Sequence, residues 1–126
     1  MVTSTLPYMT VEIVEYLDRN GRSPFGIWFD RLPAAAAAKV VVAVDRIGRG
    51  LLGDVKSVGH GVSERRIDFG PGYRIYFASI KEGSVIQIAV LLSGGTKIRQ
   101  NKDVETAQDR WKDCKARRRK GEKLWH

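Results

Sequence analysis

A small α+β fold in the order β-α-α-β-β-β-α is what this sequence predicts: an antiparallel-rich sheet with an N-terminal helical hairpin and a C-terminal helix. Three observations lead there. Residues 63–92 carry three alternating or apolar segments separated by Gly-Pro-Gly and Lys-Glu-Gly turns. Residues 24–49 carry two apolar stripes at helical spacing, each introduced by a proline. Residues 101–119 then form a long polar segment with a narrow apolar stripe.

Taking the elements in order, residues 1–9 show no pattern and are expected to hang loose, while 10–17 (TVEIVEYL) alternate through Val11 and Ile13 and read as a first strand. Asp18 to Arg22 is turn chemistry. Ser23-Pro24 supplies an N-cap and a proline suited to the first helical position, and Phe25, Trp28, Phe29 and Leu32 form the buried stripe of a helix ending near Leu32. Pro33 opens a second helix to about Arg49, with Ala37, Val40, Val41, Val44 and Ile47 on one face. Its valines lower helix propensity, so burial has to hold it together. Residues 50–61, GLLGDVKSVGHG, read as a surface loop.

Residues 63–69, 73–80 and 84–92 are the three strands. Pairing Phe69 with Tyr73 places Ile67 opposite Ile75, Asp68 opposite Arg74 and Arg66 opposite Tyr76, giving one oily face and one that carries two arginines. The third strand is apolar at nearly every position, as expected for a strand covered on both sides or lying centrally. Gly94-Gly95 reads as a tight turn at its end, and Tyr73 as a core residue. The final helix bears Val104, Ala107 and Trp111 as its stripe, and its basic end, Arg117 to Lys120, complements the helix dipole.

At 126 residues the chain fits one domain, assigned to 10–119, followed by a basic tail over 120–126. A net charge of +8 favours a polyanionic partner. Cys114 is the single cysteine, so an internal disulfide is excluded. No Cys/His cluster has zinc spacing, no metal or other cofactor is expected, no apolar run is long enough to cross a bilayer, and no secretory leader pattern opens the chain; the expectation is a cytoplasmic protein without membrane contact.

The runs SERRIDFGPGYRIYF (63–77) and LLSGGTKIRQNKDV (91–104), with Ala107 and Trp111 after them and SPFGIWFDRL (23–32) and GDVKSVG (53–59) before them, resemble the RelE/ParE superfamily of bacterial toxins, in particular its small HigB-like addiction module killer branch. The chain departs from that pattern at Arg65, where leucine is usual, and at Thr96, where aspartate is usual. The resemblance implies a RelE-like fold and a type II toxin neutralised by a cognate antitoxin. It further implies a ribosome-dependent endoribonuclease that cuts mRNA without a metal.

Cleaving RNA requires deprotonation of the 2′-hydroxyl, protonation of the leaving 5′-oxygen and stabilisation of charge on phosphorus, which cations alone can supply. On this reading Arg74, Lys97 and Arg66 are the catalytic candidates: arginine forks suit phosphate oxygens and lysine is a mobile point charge. Lys56, Tyr76, Arg99, Arg117 and Arg118 are the RNA-binding candidates, Tyr76 through stacking of a base. Two other classes remain open: a ParE-like DNA gyrase poison, and a noncatalytic RNA- or protein-binding relative.

Overall fold

A computed structural model describes residues 10–122. The segment 1–9 expected to be loose, and positions 123–126 of the expected tail, lie outside the described residues. Five strands and three helices follow in the order β1 (Glu12–Glu15), α1 (Pro24–Asp30), α2 (Ala34–Gly48), β2 (Val55–Gly59), β3 (Val62–Ile67), β4 (Tyr73–Glu82), β5 (Val85–Thr96) and α3 (Gln100–Arg119). The expected α+β class holds, with one strand more than the sequence pattern gave. In space the strands run β1-β5-β4-β3-β2, with β1 parallel to β5 and the remaining neighbours antiparallel.

The additional strand lies inside the expected loop. Val55 and Val58 are half-buried while Lys56 and Ser57 are exposed, so this edge strand carries only two apolar side chains and is masked by the surrounding glycines. Its hairpin to β3 turns through His60 and Gly61, at φ of 54° and 81°, the pair of positive values that a two-residue hairpin loop of matching twist demands.

Between β3 and β4 the register differs from the expected one by two residues: Ile67 faces Tyr73, Arg66 faces Arg74 and Glu64 faces Tyr76. Phe69 is not in the ladder. Its amide donates to Ile67 O and its carbonyl accepts from Gly72, so residues 68–72 form a wider connection than a tight Gly-Pro-Gly turn. A slip of two, being even, leaves each side chain on its expected face.

Those faces are both covered. Ile67, Tyr73, Ile75, Phe77, Ala89 and Leu91 pack under Phe25 of α1 and Ala36, Val40, Ala43 and Ile47 of α2. The buried face of α2 is therefore rotated from the expected one, with Val41 left 54% exposed, because the small Ala36 and Ala43 allow close approach to the sheet. On the other side Val62, Tyr76, Ala78, Val90 and Leu92 pack under Ala107, Trp111 and Cys114 of α3. The face bearing the arginines is thus roofed by a helix rather than open to solvent. As expected, β5 is interior, with β1 and β4 as its neighbours.

Gly94 and Gly95 belong to β5 and not to a turn. Neither has positive φ; each is glycine because a side chain lies on it. The Trp28 indole occupies the space above Gly94 that a Cβ would need, and the Asp103 carboxylate does the same at Gly95. Ser23 caps α1, accepting from Gly26 N at 2.9 Å and donating to Glu15 Oε1 at 2.5 Å, which ties the helix start to β1. Among the described residues no helix is long and apolar enough to cross a membrane.

Candidate nucleic-acid interface

The sheet brings the three catalytic candidates to one end. Arg66 and Arg74 are directly opposed across β3 and β4, and Arg74 is opposed in turn by Gly95 of β5. Lys97 follows two residues later, at the start of a single 3-10 turn over Lys97–Arg99, its amide donating to Gly72 O at 3.0 Å. Opposed residues share a sheet face, so Arg66 and Arg74 project toward the α3 side.

Their environments differ sharply. Arg66 keeps 40% of its side chain exposed and pairs with Asp54 at 3.0 Å, on the surface. Arg74 is 8% exposed and its Nη1 lies 2.9 Å from Oε2 of Glu64, a carboxylate with no exposure at all. Although that distance makes an ion pair, its alignment is not that of a hydrogen bond, and Arg74 Nε is also buried without a partner. Oε1 of Glu64 accepts from Tyr76 Oη at 3.2 Å and from Gln100 Nε2 at 2.9 Å. Four side chains thus form a closed polar cluster beneath the first turn of α3.

Tyr76 is consequently unavailable to stack a base: it is fully buried, and burial followed by the neighbouring Glu64 carboxylate raises its hydroxyl well above the ordinary phenol value. Arg117 is likewise unavailable to RNA. Only 5% exposed, it donates to Leu17 O at 2.9 Å and to Asp113 at 2.9 Å, and it fastens α3 to the end of β1. Tyr16 completes this anchor by donating to Asp113 Oδ2 at 2.6 Å. Arg118, one residue on, is exposed and borders a shallow hollow with Lys115 and Arg119. Lys56 is exposed on β2, opposite Glu64.

Arg99 and Lys97 are exposed and line an open hollow of about 450 Å³ together with Lys102. Arg99 also borders a second cleft, of about 470 Å³, between α1 and α3. Arg66 and Arg74 line neither. The second cleft lies where β5 outruns β1: their register stops at Leu91, so beyond it β5 has a strand neighbour on the β4 side alone. Arg110 fills part of the gap, its Nη1 reaching Leu92 O at 3.4 Å. Burial lowers the proton affinity of Arg110 and raises that of Asp103, the latter opposed by Arg99 and Arg110. Asp103 therefore places a carboxylate of increased basicity over Gly95, the residue that pairs with Arg74 in the ladder.

Trp28, Arg31, Asp103 and Arg110 are the residues of this region that sequence reasoning missed. A signal for two of them was present: consecutive glycines at the end of an apolar strand mark close approach by something large, here Trp28 and Asp103.

No family model matches the chain, and no solved structure matches it. A protein of Haemophilus influenzae (strain ATCC 51907 / DSM 11121 / KW20 / Rd), described as uncharacterized, is 39% identical over 85 residues, covering 67% of this chain and 82% of that protein. With that identity over most of the relative's length, the chain belongs to one family with this Haemophilus protein.

Proposed function

We propose that the protein is the toxin of a type II toxin-antitoxin pair, a HigB-like member of the RelE/ParE superfamily with a RelE-like fold. It acts in the cytoplasm as a ribosome-dependent mRNA endoribonuclease and is held inactive by a cognate antitoxin. The observation that carries this reading is the convergence of the GPGYR and GGTK segments: Arg66 and Arg74 opposed across two strands, with Lys97 bonded through its backbone to the turn between them. The +8 charge supports a polyanionic substrate.

In the reaction the 2′-oxygen attacks phosphorus, the bond from phosphorus to the 5′-oxygen breaks, and a proton moves from the former to the latter. Lys97 and Arg99, both exposed, meet the phosphate. Arg66 joins them by exchanging its surface contact with Asp54, an exposed pair that costs about 0–1 kcal/mol to open. Arg74 acts from beneath as a fixed charge, and Asp103, made more basic by burial, takes or gives the proton. Such groups contribute about 10²- to 10⁴-fold, so the ribosome supplies the orientation of the mRNA.

The buried pairing of Arg74 with Glu64 favours a second reading, a noncatalytic nucleic-acid- or protein-binding relative in which this arginine is structural. Primer extension on mRNA in a reconstituted translation system separates them. Discrete cuts that disappear with Lys97→Ala support the nuclease. Intact mRNA removes it, leaving the noncatalytic binder, or a ParE-like gyrase poison if DNA damage follows expression in cells.

A further inference from the structure

Of the residues lining the cleft between α1 and α3, the cleavage reading uses only Arg99 and Asp103 at its rim; the rest of the cleft is not accounted for by it. Its one wall is apolar, made by Pro24, the exposed Ile27 and Trp28; the other is cationic, with Arg31, Arg99 and Arg110. Among the described residues none of these three arginines takes part in a salt bridge. Two carboxylates share the cleft, yet neither offsets the cations fully. Asp18 is engaged by its own loop, Oδ1 accepting from the amides of Asn20 and Arg22 at 2.9 and 3.0 Å, and Asp103 is partly buried over Gly95. Ser93, 5% exposed and with a hydroxyl that has no partner, forms part of the floor.

An apolar wall facing guanidinium groups that take part in no salt bridge matches a ligand with a flat apolar part and a phosphate, and about 470 Å³ is within the roughly 300–1,000 Å³ range of small-molecule sites. We propose that this cleft is a nucleotide-binding site, in which the base lies along Ile27 and Trp28 and the phosphate is held by Arg31, Arg99 and Arg110. The ligand is either a free mononucleotide or one nucleotide of an RNA strand; the chemistry recognised is the same. The site does not depend on RNA cleavage.

The test is a titration of the full chain, followed by amide and indole NMR shifts, with 5′-AMP, inorganic phosphate and a single-stranded RNA hexamer. The amides of Ser93 and Gly94 and the Trp28 indole N–H shift saturably with 5′-AMP, more tightly than with phosphate. Arg31→Gln weakens binding about tenfold or more, as loss of a charge-assisted hydrogen bond does. Arg110→Gln does the same, and should it fail to fold, the exposed Arg31 carries the test. Lys81→Gln, on the β4–β5 hairpin at the far end of the sheet, changes nothing. A hexamer that binds more tightly than 5′-AMP identifies the source as a strand; the reverse order identifies a free nucleotide. No saturable shift with any probe, an equal loss in Lys81→Gln, or shifts confined to residues 117–122 would overturn the proposal. Binding retained by a protein that leaves mRNA intact sinks the nuclease reading alone.

Discussion

Glu64→Ala is expected to be among the most damaging single substitutions in the domain. Glu64 is fully buried and serves three partners at once: the Arg74 guanidinium at 2.9 Å, Gln100 at 2.9 Å and the Tyr76 hydroxyl at 3.2 Å. Removing one half of a buried ion pair leaves an uncompensated charge and costs about 3–5 kcal/mol. That is a large share of the roughly 5–15 kcal/mol by which such domains are stable. With a urea dependence of about 1.5 kcal/mol/M, the unfolding midpoint falls by about 2–3 M. Replacing both charges, Glu64→Leu with Arg74→Met, restores most of the loss, because two apolar side chains remove the desolvation cost together. Arg74→Ala alone is milder than Glu64→Ala, since the carboxylate keeps its bonds from Tyr76 and Gln100. Equilibrium urea unfolding of the four proteins decides the matter. A shift below about 0.5 M for Glu64→Ala, or a double variant less stable than either single one, refutes the cluster as described.

Three further outcomes follow from the packing. Gly94→Ala and Gly95→Ala are expected to cost about 1–3 kcal/mol or more each, as overpacking does, since the new methyl group meets the Trp28 ring or the Asp103 carboxylate; thermal unfolding reads the loss. Burial works against ionised Asp113, but hydrogen bonds from Tyr16 and Arg117 outweigh it and hold the carboxyl below its ordinary value of 3.8. A depressed folded value means that the contribution is present above pH 3.8 and is lost as pH falls through the folded value, so the stability gap between wild type and Asp113→Asn narrows in acid. Burial raises the Cys114 thiol to about 11, so it resists iodoacetamide at pH 8 in the native state and reacts once the chain is unfolded in urea.

The strand cores and all three helices were legible because their signals are local: a capped Ser23-Pro24, an apolar third strand, and alternation through Ile75 and Phe77. What escaped depended on partners distant in sequence. β2 has two half-buried valines among exposed neighbours, and its pairing with β3 is what makes it a strand. Turn composition pointed to the register that pairs Phe69 with Tyr73, which is two residues off, because Phe69 leaves the ladder to pack against the core and under Lys39. The same limit governed the site. Lys97 and Arg99 are exposed and Arg66 half-exposed, as a cationic surface requires, whereas Tyr76 and Arg117 have the right chemistry and the wrong burial. Alternation assigned Arg74 to a face but said nothing of α3 closing over it.

The central proposal, that the exposed cations beside the β3–β4 unit act on an mRNA phosphodiester, is tested most directly by mapping mRNA 5′ ends in a purified translation system with wild type, Lys97→Ala and Arg66→Ala. The account predicts discrete cuts from wild type only when ribosomes translate, reduced by about 10²-fold or more in Lys97→Ala, with both variants folded by circular dichroism. Full-length mRNA with the wild-type protein, or cuts undiminished in both variants, would contradict it.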